Sequence, residues 1–337
     1  MKRFIALFLT AILTLFAFVG CTESASTSDA SNASSNADTK TVIRIAGMKG
    51  PTSIGLVGLL DKDEKGESKN DYEFTLAGAA DEITPKLIKG ELDIAAVPAN
   101  LASVLYNNTE GKVQLLAVNN LGVLYIVTKG EAVSSVEDLR GKTIYATGKG
   151  TTPEYTLRYI LSENGIDPDA DVTIDYKSEA TEVVAAISQS ESAVAMLPQP
   201  YVTVAKSKVE GLEIALDLND EWKKLDPDGA IVTGVIVVRK EFADANPEAV
   251  KAFLEEYKTS IEGVNADPVK GAELVVKFGI FDNQAVIEKA IPACNLYYLA
   301  GDDMKTPINN YLGVLYEQNN KSVGGKLPDE GFFYIAG

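Results

Sequence analysis

Two short stretches one hundred residues apart constrain this chain more than any other feature. DIAAVPAN (Asp93–Asn100) and AVAMLPQP (Ala193–Pro200) are both apolar runs stopped by a proline, with polar residues just beyond. At the same offset Lys49-Gly50 faces Lys149-Gly150, Thr52 faces Thr152, Asp71 faces Asp171, and Ala80 and Glu82 face Ala180 and Glu182. Glu91, Ala95 and Pro98 face Glu191, Ala195 and Pro198. A constant offset that preserves the order of elements points to an internal repeat. The 337 residues are too many for one comfortable core and suit two lobes of roughly 100–150 residues. Each lobe is expected to follow one β-α-β-α-β plan.

The local patterns fill in that plan. TVIRIA reads as a buried strand, GMKGPTS as a loop, and IGLVGLL as the start of a helix. YEFTLA is a strand, DEITPKLIKG a helix ending at Gly90, and LDIAAV a strand that PAN stops before the helix LASVLYNN. Such strand-loop-helix units predict a parallel sheet covered on both faces. VQLLAVNN and GVLYIVTK are then strands with no helix between them, which predicts a crossing from one lobe to the other.

The rhythm restarts with SVEDLRG, KTIYA and TGKGTTPEYTLRYILSENG, where Thr152 is expected as N-cap, Pro153 as the first helical residue and Gly165 just past the last turn. VTIDY, ATEVVAAISQ and AVAML complete the second lobe. LEIALDL and AIVTGVIVVRK read as strands, the latter crossing back. After the cap Asn246 and Pro247, apolar residues at 250, 253, 254, 257, 261 and 264 make one face of an amphipathic helix. The helices that follow are expected to pack on the first lobe. The division is therefore 41–122 with 236–337 for lobe 1, and 123–235 for lobe 2.

Composition removes several chemistries. There is no histidine, so Ser-His-Asp and Cys-His nucleophile systems, the two-histidine zinc helix and imidazole proton shuttles are absent. Carboxylate pairs, lysine chemistry and oxygen-ligated metals remain open. A formal net charge of −17 repels nucleic acid, which is not expected as a partner. Residues 1–20 combine the charged MKR with a short apolar run ending in FVG, and Cys21 follows. This resembles the signal peptide and lipobox of bacterial lipoproteins, which implies cleavage and lipidation at Cys21; an uncleaved anchor helix is the alternative. Residues 21–40 are Ser/Ala/Asn/Asp-rich and cannot bury a core. They read as a tether at a membrane surface, facing outward. Cys294, in the apolar context IPACNLYYLA, reads as a buried core thiol.

Ligands of open α/β sheets bind beyond the carboxyl ends of the strands. Facing lobes would line a cleft with GMKGPTS and PAN on one side and TGKGTTPE and PQPY on the other. Helix-start N–H groups, the hydroxyls of Thr52, Thr151 and Thr152, and the ammonium groups of Lys49 and Lys149 would suit a carboxylate, sulfonate or phosphate. Either lysine alone is more often a solvated turn residue. Asn100, Gln199 and Tyr201 are better placed, because they directly follow buried strands. Trp222 reads equally as a lid contact or a surface-packing residue.

Together the lipobox, the tether, IRIAGMKGPTSIGLVGLL, KLIKGELDIAAVPANLASVLY, VEDLRGKTIYATGKGTTPEYTLRYILSENGID and AMLPQPYV resemble bacterial ABC-transporter substrate-binding lipoproteins. The nearest group is the nitrate, sulfonate, taurine and thiamine-precursor binding proteins. The resemblance implies an α/β, type II periplasmic-binding-protein fold: two βαβ lobes joined by two strand crossovers, with a cleft between them. It implies that the chain binds one small molecule and delivers it to a separate membrane permease and ATPase; a monomer without cofactor or metal is expected. It implies an extracytoplasmic location, lipid-anchored to the bacterial cell membrane. Position by position it implies ligand contacts at Lys49, Gly50, Pro51 and Thr52, at Pro98 and Asn100, at Gly148, Lys149, Gly150, Thr151 and Thr152, and at Gln199 and Tyr201. Asn119, Asn120 and Thr233 are implied as hinge or floor contacts. None of these loops holds an arginine, the residue an oxyanion site is expected to use. The competing readings are an enzyme on the same fold, with Asp81-Glu82 and the two lysines as acid-base groups, and a surface sensor or adhesin.

Overall fold

The computed structural model describes Lys40 to Ile335, except Asp228. The expected signal peptide (1–20), the lipidation site Cys21 and the tether up to residue 39 lie outside the described residues. No helix among the described residues is long and apolar enough to cross a membrane.

The first half of the chain forms β1 (Val42–Met48), α1 (Pro51–Ile54), α2 (Val57–Glu64), β2 (Asp71–Ala77), α3 (Ala80–Ile88), β3 (Ile94–Pro98), α4 (Ala99–Asn108) and β4 (Val113–Leu121). The second lobe follows as β5 (Leu124–Lys129), β6 (Thr143–Ala146), α5 (Thr152–Glu163), β7 (Thr173–Tyr176), α6 (Ala180–Gln189), β8 (Ala193–Pro198), α7 (Tyr201–Lys208), β9 (Leu212–Asp217) and α8 (Leu218–Leu225). The chain then returns through β10 (Val232–Arg239), α9 (Lys240–Ala245), α10 (Pro247–Ala266), α11 (Pro268–Lys277) and α12 (Gln284–Ala290). It ends with β11 (Leu296–Ala300) and α13 (Lys305–Gln318).

These strands make two sheets. The first runs β11-β4-β10-β3-β1-β2 and the second β7-β6-β8-β5-β9. In each, three strands of the repeat are parallel: β2-β1-β3 and β7-β6-β8. The next place in each sheet is taken by an antiparallel strand that arrives from the crossing: β10 beside β3, and β5 beside β8. The sheets are therefore mixed rather than wholly parallel. A strand entering from the other lobe must run against the repeat.

β10 pairs with β4 from Val232 onward, so Val232–Val235 lie in the first sheet, ahead of the expected division at 236.

The repeated residues do the same local work twice. Glu82 accepts hydrogen bonds from the N–H groups of Gly78 and Ala79, and Glu182 accepts one from Ser178. Each carboxylate thus satisfies open N–H groups at the start of a helix and complements its dipole. Gly90 and Gly165 both sit at φ 76° just past the ends of α3 and α5, a conformation that a side chain would strain.

Asp93 ties the far end of the first sheet together. Its buried carboxylate takes two bonds from the Arg44 side chain (2.8 and 2.6 Å), one from the Arg44 N–H (3.1 Å) and one from Arg239 (3.0 Å). Arg44 lies on β1 and Arg239 at the end of β10, so one carboxylate links strands far apart in sequence.

The crossing out of the first sheet takes only Gly122 and Val123. The Gly122 carbonyl accepts from the side chains of Asn219 (2.9 Å) and Asn295 (2.5 Å). A Cβ at this position would lie 1.7 Å from Asn219 Oδ1 and 3.0 Å from Ile231 Cβ, so only glycine fits.

The C-terminal helices depart from expectation. α10 buries Val250, Phe253, Tyr257, Ile261 and Val264 as the stripe predicts. Asn246 makes no side-chain cap, however; its amide donates to Phe242 O instead. α12 packs on α7, and α13 packs on α5 as well as α4. These helices therefore bridge the lobes rather than decorate the first. Thr156 on α5 and Tyr311 on α13 share a buried hydrogen bond of 3.0 Å. Trp222 is neither lid nor surface residue: it is fully buried, with its ring against Tyr159 and Tyr311. Cys294 is buried and unpaired, and burial pushes its thiol up to about 12.

Burial alone would raise the pKa of Asp93, but the bonds from Arg44 and Arg239 outweigh it and hold the carboxyl below its usual range. A depressed carboxylate stabilises the fold above its unfolded pKa, and that contribution is lost as pH falls through the folded value. Asp93→Ala is expected to cost on the order of 3 kcal/mol at pH 7. It should also flatten the acid limb of the stability curve below the ordinary carboxylate range, as measured by denaturant titration from pH 7 to pH 2. An unchanged acid limb would show that the clamp contributes nothing.

Candidate functional site

The carboxyl ends of β1 and β3 and the start of β10 meet the loops that open α5 and α7, at the place where the chain crosses between sheets. Thr52, Asn100, Asn119, Asn120, Thr152, Gln199 and Thr233 are all buried there. Gly50 is buried and Pro51, Pro98, Gly148, Thr151 and Tyr201 are partly so, whereas Lys49, Lys149 and Gly150 are exposed. The two lysines therefore sit at the rim. Lys149 Nζ lies 5.9 Å from the centre of the Tyr176 ring, a cation–π distance.

Asn100, the first polar residue after β3, reaches across to the second lobe. Its Oδ1 accepts from Thr152 N (3.0 Å) and Thr152 Oγ1 (3.4 Å), and its Nδ2 donates to Gly150 O (3.3 Å) and Ser322 O (3.1 Å). Thr152 is the first residue of α5 rather than its cap, and Thr151 stands in the cap position without a side-chain cap bond. The capping oxygen comes from the other lobe. Thr151 Oγ1 instead donates to Gly148 O at 2.7 Å, and Gly150 N donates to the Glu154 carboxylate. Pro153 has no N–H, so these bonds take up most of the donors that the helix start offers.

Gln199 accepts from Thr203 N and Thr203 Oγ1 through its side-chain oxygen, so it caps α7 within its own lobe. The Tyr201 ring packs 5.0 Å from Phe281, which precedes α12. This is a second contact between the lobes.

The cleft floor differs in kind. Asn119 Nδ2 donates to Thr52 O (2.9 Å), and Asn120 Nδ2 to Cys294 O (3.0 Å). The Oδ1 atoms of both, with Thr52 Oγ1, Thr233 Oγ1 and Tyr257 OH, are buried without a hydrogen-bond partner. Gly234 is packed tightly against two of them: a Cβ built there would lie 2.5 Å from Asn119 Oδ1, 3.3 Å from Asn120 Oδ1 and 2.6 Å from the Thr52 methyl. A buried polar group left unmade costs about 1–3 kcal/mol, and native chains rarely hold several together without reason. Burial pushes the Tyr257 hydroxyl pKa well up, with the neighbouring Asn119 amide opposing. The hydroxyl is therefore protonated at neutral pH.

Tyr257 and Tyr176 were absent from the sequence-derived set. Tyr176 is the last residue of β7, so the carboxyl-end rule that selected Tyr201 points to it as well. Its hydroxyl is buried and unpartnered, and burial with the nearby Glu154 pushes its pKa up. Tyr257 belongs to the apolar stripe of α10 and carries no separate signal.

Two sheets, a double strand crossing and a polar floor between facing loops define the class: a two-lobed solute-binding protein. A family model described as "ABC transporter, phosphonate, periplasmic substrate-binding protein" matches residues 65–277, and the chain belongs to that family. Binding proteins of Brucella abortus and Brucella suis are 28% identical over 174 residues, which is 52% of this chain and 52% of each relative. The match thus spans about half the length of these curated relatives. The crystal structure of an ABC transporter from Parabacteroides distasonis superposes with a TM-score of 0.74 at 26% identity, covering 88% of this chain and 99% of that one. The periplasmic aliphatic sulphonate binding protein SsuA from Escherichia coli gives a TM-score of 0.71 at 16% identity, covering 88% and 92%. That likeness is one of fold. The family and the fold class expected from the sequence are both borne out.

Removing an unpartnered hydroxyl should help folding and harm binding. Thr233→Val and Tyr257→Phe are each expected to raise the melting temperature of the empty protein, by an amount equivalent to about 1 kcal/mol. Differential scanning calorimetry checks this. A lowered melting temperature in both would mean that these hydroxyls already have partners in the empty protein.

Proposed function

We propose that this chain is the extracytoplasmic receptor of an ABC importer. It captures one small organic molecule between its lobes and hands it to a membrane permease driven by a separate ATPase. The observation that carries this reading is the floor: five buried polar atoms without partners at the strand crossing, beneath loops that meet through Asn100. Such atoms are unfavourable in an empty fold and favourable once a solute bonds to them. The strands that cross at Gly122 and before β10 supply a hinge for closing the lobes.

The sequence-derived contacts fall into three roles under this reading. Thr52, Asn119, Asn120 and Thr233 bind the solute at the floor. Asn100, Gly150 and Thr152 register closure. Lys49, Gly50, Pro51, Pro98, Gly148, Lys149, Thr151, Gln199 and Tyr201 form the walls and rim. The sulfonates, carboxylates and heteroaromatic vitamin precursors bound within the family the sequence resembles are the starting classes. Lipidation at Cys21 would hold a monomer at the outer face of the cell membrane, with residues 21–40 as its tether.

The enzyme reading has less support. Glu82 is engaged in capping α3, and Lys49 and Lys149 are exposed at the rim. They form no acid-base pair with a carboxylate in the cleft.

Deleting the chain from its host is expected to abolish uptake of one solute and leave other imports unchanged, as read by depletion of compounds from the medium. Re-supplying the wild-type chain should restore that uptake. An unchanged depletion profile would contradict the receptor assignment.

A further inference from the structure

Resting on the receptor reading, we infer that the lobes turn on a fixed side-chain fulcrum where α13 meets α5 and α8. They open on the other face of the sheets, where Tyr201 and Phe281 form the gate through which the solute enters. The fulcrum is built on one stripe of α5. Thr152, Thr156 and Tyr159 recur at helical spacing, and the two threonines are fully buried. Thr156 shares its hydroxyl bond of 3.0 Å with Tyr311 of α13. The Tyr159 ring lies 4.5 Å from that of Trp222 on α8, and Trp222 lies 5.5 Å from Tyr311. Trp222 and Tyr311 are each 1% exposed. α13 also packs on α4, so a helix held by the first lobe carries a ring that completes the core of the second. The apolar side chains of the two lobes accordingly merge on this face: Leu105 and Leu315 belong to one cluster with Leu157 and Trp222.

The other face is built differently. Along β5, Leu124 and Ile126 join the merged cluster, whereas Tyr125 and Val127 point the opposite way into a separate one, against which Tyr201 packs. Along β10, Val235 and Val237 join the merged cluster, and Ile236 and Val238 join a third, against which Phe281 packs. The cores of the two lobes are therefore distinct on this face. They meet where α7 touches α12, through the Tyr201 and Phe281 rings 5.0 Å apart. Both rings are only partly buried. Parting them exposes surface that water already reaches in part, whereas parting the fulcrum would bring Trp222 and Tyr311 from full burial into water. The hydrophobic cost follows the apolar area exposed, so the gate yields and the fulcrum holds. Thr152 lies about 6–10 Å along α5 from Thr156 and Tyr159. Its bonds to Asn100 thus part by a small displacement, while α7 swings furthest.

Electron paramagnetic resonance on the full-length chain in detergent micelles tests the inference with two label pairs at exposed positions. Lys206→Cys with Gln284→Cys spans the gate. Glu163→Cys with Glu317→Cys spans the fulcrum, where both glutamates line one groove between α5 and α13. The gate pair is expected to show two distance populations and the fulcrum pair one. Phe281→Ala should raise the ratio of the longer gate population to the shorter by about threefold or more. Two populations at the fulcrum, one at the gate, or a gate ratio unmoved by Phe281→Ala each overturn the inference. Uptake separates that failure from failure of the receptor reading. In the deletion strain carrying either double-cysteine chain, a short bis-maleimide bridge across the gate should abolish the restored uptake, and one across the fulcrum should leave it. Uptake that survives a bridged gate, or is lost on bridging the fulcrum, overturns the inference alone. A wild-type chain that restores no uptake removes the receptor reading itself.

Discussion

The double strand crossing is the constraint on which the rest depends. β4 leaves the first sheet and β5 enters the second after two residues, and the glycine between them is held through its carbonyl by Asn219 from the second lobe and Asn295 from the first. The return through α8 places β10 between β3 and β4. Each sheet is completed by a strand that has just crossed, so neither lobe has a full sheet without the hinge. The short connection brings the carboxyl ends of β1 and β3 and the start of β10 to the crossing, which puts the polar floor there.

Under the receptor reading, closure and recognition are coupled at that place. Asn100 extends from the first lobe to give the start of α5 its capping oxygen, and its Nδ2 also holds Ser322 O beyond α13. Under the receptor reading the lobes part, and water would then replace these bonds at the solvated helix start. The floor atoms have no such replacement while the lobes are closed. A solute that bonds to them therefore lowers the energy of the closed form more than that of the open form, which is the condition for a ligand to shift such an equilibrium.

Much of the fold could be read from the residues because the repeat shows itself twice, in element order and in shared chemistry. Glu82 and Glu182 are identical at the offset because both satisfy the open N–H groups of a helix start. The floor was legible where polar residues interrupt apolar strands, as Asn119 and Asn120 do in VQLLAVNN. Other parts were hidden by physics that a linear pattern does not encode. An amphipathic stripe says that a helix buries a face, but not against what, so the bridging roles of α12 and α13 were not visible. The capping of α5 by Asn100 joins residues 52 positions apart, beyond any local cap rule. Tyr257 looks like core from its spacing, and only the unpartnered hydroxyl separates it from Phe253 beside it.

The most direct test of lobe closure is the distance between spin labels on Lys86→Cys and Lys206→Cys, both exposed positions, one on each lobe. Double electron–electron resonance would be recorded on the wild-type background and with Asn100→Ala. Two distance populations are expected, with a shift to the longer one in Asn100→Ala and a shift to the shorter one when a binding solute is added. A single distance, unmoved by the substitution or by solute, would contradict lobe closure.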